Sequence, residues 1–166
     1  MLSESRVAVT LAPHSADAYL ELASRLEQLA RKNERNAIIA SVAPNAAPHV
    51  QLPSDATQEA EQAYRTAIRL APNGGDGYYQ LGSMLRALGP PRVAEAEAFL
   101  QAAAVIEPDH AAATSTAAYM LLASQSAEQR QRGLSLLARG VAAGTWPNAR
   151  NWQHPAEYLP MVPTLS

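Results

Sequence analysis

The side chains here that could do chemistry are few, and their spacing keeps them apart. Four histidines, His14, His49, His110 and His154, are widely separated, and none forms an i, i+4 pair with another ligand type, the spacing that puts two ligands on one helix face. Exposed or cap-adjacent positions account for them, and no metal site is predicted. The chain has no cysteine, which removes disulfides, thiolate nucleophiles and thiolate-held zinc together. Glu95, Glu97 and Glu107 offer carboxylates for an acid/base pair, but no nucleophile or cleft-forming loop accompanies them, so solvated helix faces are the expected setting. Tyr19, Tyr64 and Tyr78 fall at helix-packing positions and are read as core, not as cofactor contacts. The expectation is a non-catalytic chain with no cofactor.

Charge narrows the partners. A net charge of -2, a single lysine at Lys32 and arginines scattered from Arg6 to Arg150 leave no basic face for nucleic acid or an anionic membrane. With 166 residues, 48% hydrophobic and 17% charged, the chain suits one folded domain. The N-terminus lacks the basic start and continuous apolar run of a secretory signal, and no segment approaches the roughly 20 apolar residues of a membrane span. A soluble, intracellular (cytoplasmic) setting is therefore expected.

The elements that must carry any surface are helices, and they recur. Three segments ending in proline superimpose, SRVAVTLAP to Pro13, YRTAIRLAP to Pro72 and LQAAAVIEP to Pro108, with Ala8, Ala67 and Ala103 coinciding. A first helix starts near Ser15 and carries Tyr19, Leu22, Ala23 and Leu26 at i, i+3, i+4 and i+7; its partner follows Asp55 with Ala60, Tyr64 and Ala67. Between them, residues 32–53 contain Pro44, Pro48 and Pro53 and are predicted to be a long inserted loop, exposed and poorly packed from Asn36 to Val50. Ile38, Ile39 and Val42 are its only candidate strand or apolar anchor. A second pair spans 75–108, with a turn lengthened at Gly89-Pro90-Pro91 and Pro91 in the first turn of the second helix. A third, more degenerate pair spans 110–144: Ala118 and Leu121 on its first helix, a capping-box pattern at Ser126-x-x-Gln129, and Gly133, Leu137 and Val141 on its second.

Tyr78, Leu81, Gly82, Leu85, Ala96, Leu100, Ala103 and Pro108 have the spacing of a tetratricopeptide repeat, and over residues 1–144 the chain resembles that family. The resemblance implies an all-α solenoid of helical hairpins wound into a right-handed superhelix, about three repeats after an N-terminal half-repeat formed by Leu2 to Pro13. It also implies an inner groove lined by the first helix of each repeat. Offsetting by one or two positions from the packing residues assigns Asp17, Glu21, Ser24 and Gln28 to that groove, then Tyr79, Gln80, Ser83 and Arg86, then Ser115, Thr116, Tyr119 and Leu122. The implied partner is a protein or extended peptide. The Lys, Asn and Arg clamp by which co-chaperones of this family hold a C-terminal carboxylate is missing, because the corresponding positions are Leu20, Ser24, Gln80, Ala112 and Thr116.

Residues 145–166 hold Trp146, Pro147, Trp152, His154, Pro155, Tyr158, Pro160 and Pro163, a Pro- and aromatic-rich tail unsuited to a long helix. It reads as a cap on the last repeat, with Trp146, Trp152 and Leu159 covering its apolar face. Trp152-Gln153-His154-Pro155 is also similar to the segment preceding the oxygenase domain in aspartyl/asparaginyl β-hydroxylase-like proteins. That resemblance implies, as the alternative, the helical N-terminal region of a 2-oxoglutarate-dependent enzyme whose iron-binding histidines have no counterpart in this chain.

Overall fold

The computed structural model describes residues 2–41 and 55–142, and the described residues are helical without a β-strand. Their contacts group into two compact units divided between Pro72 and Asn73, where the sequence suggested one repeat domain over 1–144.

In the first unit, α1 (Leu2–Leu11) and α3 (Asp55–Leu70) both pack on α2 (Ala16–Ser41). Ser15 starts α2, its Oγ accepting from the Ala18 N–H at 3.3 Å and so satisfying one of the orphan donors of a helix N-terminus. Leu22, Ala23, Leu26 and Ala30 form the buried stripe of α2, and Thr57, Ala60, Ala63, Tyr64 and Ala67 that of α3. The alanines permit close approach and Tyr64 supplies the bulk. Arg6 of α1 donates to both carboxylate oxygens of Glu59 of α3 at 2.8 Å, with side chains 55% and 42% exposed, so this pair contributes at most about 1 kcal/mol.

The inserted loop requires correction. Helix α2 runs to Ser41, so residues 32–41 are helical, and Ile38 and Ile39 lie in helix and not in a strand. The cause is local. Arg31 to Ala37 contains no glycine or proline, its Arg, Lys, Glu and Ala residues favour helix, and the first proline is Pro44. The rest of the expected insertion, including Val42, and the tail at 145–166 lie outside the described residues.

In the second unit each helix packs on the next: α4 (Gly75–Ala87) on α5 (Val93–Ile106), α5 on α6 (Ala111–Leu122), and α6 on α7 (Ala127–Ala142). Leu81 and Leu85 of α4 and Ala96, Leu100 and Ala103 of α5 are buried, as their spacing predicts, and Met84, which the spacing does not single out, is buried with them. Gly82 sets the distance between these helices: a Cβ there would stand 2.7 Å from Leu100 Cγ and 3.1 Å from the Ala96 carbonyl oxygen. The connection turns at Gly89, whose φ of 90° is accessible to glycine without strain, and a 3-10 turn at Pro90–Arg92 leads into α5.

Ala104 of α5, Ala117, Ala118 and Leu121 of α6, and Leu136 and Leu137 of α7 make a second cluster. Gly133 is the close-approach residue of this pair, 3.0 Å from the Ala118 carbonyl oxygen and Leu122 Cγ by the same measure. Val141, expected on the packed face, is instead 44% exposed, and the inward positions go to Leu136, Leu137 and Gly140. The capping box at the start of α7 is half formed. Ser126 Oγ accepts from the Gln129 N–H at 3.4 Å, but the Gln129 side chain pairs with Ser124, whose Oγ takes the Ser126 N–H at 3.1 Å.

Candidate functional site

Residues Glu107 to His110, between α5 and α6, fix the N-terminal ends of both α4 and α6 in the second unit. Glu107 Oε1 accepts from the Gly75 N–H at 2.9 Å, placing a carboxylate on the first turn of α4, where the helix dipole favours it. His110 is the N-cap of α6, its Nδ1 accepting from the Ala113 N–H at 3.1 Å. An accepting Nδ1 leaves the ring proton on Nε2, which faces Asp76 Oδ1 at 3.1 Å and donates to it. The Tyr79 ring lies 4.9 Å from the His110 ring, and Thr114 Oγ1 donates to the Pro108 carbonyl oxygen at 3.1 Å. Asp76, Tyr79 and His110 therefore tie α4 to the start of α6.

This cluster corrects the assignment of Glu107 to a solvated helix face. Glu107 is a helix-end acceptor, Glu95 pairs with Arg92 at 2.8 Å, and the half-buried Glu97 lines a small pocket at the other end of α6. His110 is the one described histidine found as a cap with a cross-helix partner. Sequence reasoning missed Asp76 and Glu107 as its companions because their contacts join different helices; the signal present was only Pro108-Asp109-His110 ahead of an apolar helix.

The expected groove residues behave unequally. Along α4, Tyr79, Ser83 and Arg86 recur at i, i+4 and i+7 with Gln80 beside them; Gln80 and Arg86 are exposed, Tyr79 and Ser83 half-buried. On α6, Thr116 is half-buried and Tyr119 is 47% exposed. Ser115 offers no free surface: it is buried and its hydroxyl donates to the Ala112 carbonyl oxygen at 3.1 Å. Leu122 packs against the α6–α7 cluster, filling the space left by Gly133. In the first unit, Asp17, Glu21 and Gln28 are exposed and Ser24 half-buried, and Glu21 pairs with Arg25 at 2.7 Å.

The first unit holds one buried polar link. Tyr64, 1% exposed, donates through its hydroxyl to Glu27 Oε2 at 2.9 Å, and Glu27 also accepts from Arg31 Nε at 3.1 Å. Burial first, and the Glu27 carboxylate second, push the Tyr64 hydroxyl far above the ordinary phenol range, so it stays protonated and serves as a donor between α2 and α3. Among the described residues no group of three or more His, Asp or Glu side chains could hold a metal ion, and no helix is long and apolar enough to cross a membrane. Comparison with family models and with curated proteins finds no match to this chain.

Proposed function

We propose that this chain is a non-catalytic interaction module of the tetratricopeptide kind that holds an extended peptide or protein segment on the first-helix face of α4 and α6. The observation that supports it most is the two-sidedness of these helices. Their Leu81, Leu85, Ala117, Ala118 and Leu121 are buried, while Gln80, Arg86 and Tyr119 stand exposed. Tyr and Arg are the residue types that most often dominate binding energy at protein interfaces. The Asp76, Tyr79 and His110 contacts order the start of this face before a ligand arrives, lowering the entropic cost of binding.

The test is selection of a random peptide-display library on the full chain, followed by anisotropy titration of the enriched peptides against Arg86→Ala/Tyr119→Ala. Tyr79 is left intact because it also supports His110. The double variant should bind at least about tenfold more weakly, with an unchanged far-ultraviolet circular dichroism spectrum. Undiminished affinity would move the site elsewhere, and failure to enrich any peptide would sink the reading.

A further inference from the structure

A small pocket lies at the opposite end of α6 from His110. The second unit contains a pocket of ≈ 210 Å³ lined by Glu97 and Gln101 of α5, Met120 and Leu121 of α6, Ala123 and Ser124 of the following turn, and Gln129 of α7. Sites that enclose a drug-sized ligand occupy roughly 300–1,000 Å³, so this one suits a single side chain and not a cofactor.

The charge within it is uncompensated. Glu95 pairs with Arg92, Glu107 with the Gly75 N–H and Glu128 with Arg132, whereas Glu97 has no hydrogen bond or ion pair among the described residues. Gln101, one helical turn along at i+4 and therefore on the same face, also has none there. The half-buried Glu97 carboxylate is acceptor-only, so its lone pairs are open to a donor brought by a partner. Arg130, on the adjoining turn, directs its guanidinium to the Ser124 and Gln125 carbonyl oxygens at 3.0 and 2.9 Å.

We infer that this pocket receives one lysine-type ammonium group from a partner chain. An ammonium carries three donors and no acceptor, matching the Glu97 carboxylate and the Gln101 side-chain oxygen, while Gln129 Oε1, which already accepts from the Ser124 hydroxyl, has its second lone pair to offer. The half-buried Met120 provides an apolar contact for the aliphatic stem, the division by which lysine buries its methylenes and keeps its charge among polar groups. The pocket is independent of the α4–α6 face and stands whether or not peptides bind there.

The test is a titration of the full, 15N-labelled chain with Nα-acetyl-lysine methylamide, followed by heteronuclear NMR. Saturable shifts are expected at the backbone amides of Ala123 and Ser124 and at the side-chain amides of Gln101 and Gln129. The Nε-acetylated analogue should give no saturable shift, and Glu97→Gln should weaken binding at least about tenfold. Arg86→Ala/Tyr119→Ala should leave ammonium binding unchanged, which separates this site from the peptide face. Absence of saturation, equal binding of the neutral analogue, undiminished affinity in Glu97→Gln, or tighter binding of the arginine analogue would each overturn the assignment.

Discussion

Replacing Gly82 by alanine sets two effects of known size against each other. Helix propensity favours alanine over glycine by about 1 kcal/mol in a helix interior. Packing opposes it, because the new Cβ would stand 2.7 Å from Leu100 Cγ and 3.1 Å from both the Ala96 carbonyl oxygen and the Leu100 nitrogen. Leu100 is fully buried, its Cγ is a branch point and not a flexible end, and the other two atoms are backbone, so relief requires the helices to separate. Overpacking of this kind costs about 1–3 kcal/mol, leaving a net destabilisation of about 0–2 kcal/mol. Leu100→Ala alone creates a cavity costing about 2–5 kcal/mol, but it also removes the nearest clashing atom, so the double variant should be more stable than additivity predicts by at least about 1 kcal/mol. Urea unfolding followed by circular dichroism measures each corner of the cycle. Stabilisation by Gly82→Ala, or additivity within about 0.3 kcal/mol, would refute the close approach of α4 and α5 as the reason for glycine.

Tyr64→Phe keeps the ring and removes the donor to Glu27, and should cost about 1.5–3 kcal/mol in urea unfolding, the range for a hydrogen bond to a charged group. Because folding raises the Tyr64 pKa above its unfolded value of 10.0, its contribution is complete below pH 10.0 and declines as pH rises past it; stability against pH should show that alkaline loss in the wild type and less of it in Tyr64→Phe. His110→Ala should lose about 0.5–2 kcal/mol with the α6 cap, while His110→Asn, which can still accept from the Ala113 N–H, should recover most of it; equal melting of the two variants would show that capping is not its role.

What was legible in the sequence is what depends on neighbours along the chain. The periodicity of Leu81, Leu85, Ala96, Leu100 and Ala103, the start of a helix near Ser15 and the turns at Pro72 and Pro108 all follow from local rules of spacing and backbone preference. The length of α2 escapes the sequence reading because Pro44, Pro48 and Pro53 count there against helix from residue 32 onward, whereas the first of them stands beyond Ser41 and leaves the helix-favouring residues before it free to continue α2. The polar links were hidden for another reason: Tyr64 and Glu27 are 37 residues apart, and Asp76 and His110 are 34 apart, so no window of one helix contains both partners. Ser115 and Leu122 show the limit of placing a surface by offset from a repeat. Ser115 spends its hydroxyl on its own helix, and Leu122 is drawn inward by the space beside Gly133.

The Glu107–His110 segment has a consequence for insertions and deletions. Its first and last residues reach the adjacent positions Gly75 and Asp76, so its length is a measured span: one residue more or fewer would misplace Glu107 or His110 and release the start of α4 or α6. The turn at Gly89 is under no such restriction, since nothing lies within 4 Å of the position a Cβ would occupy there. A one-residue insertion at Gly89 to Pro91 should therefore leave urea unfolding nearly unchanged, whereas the same insertion between Glu107 and His110 should lower stability.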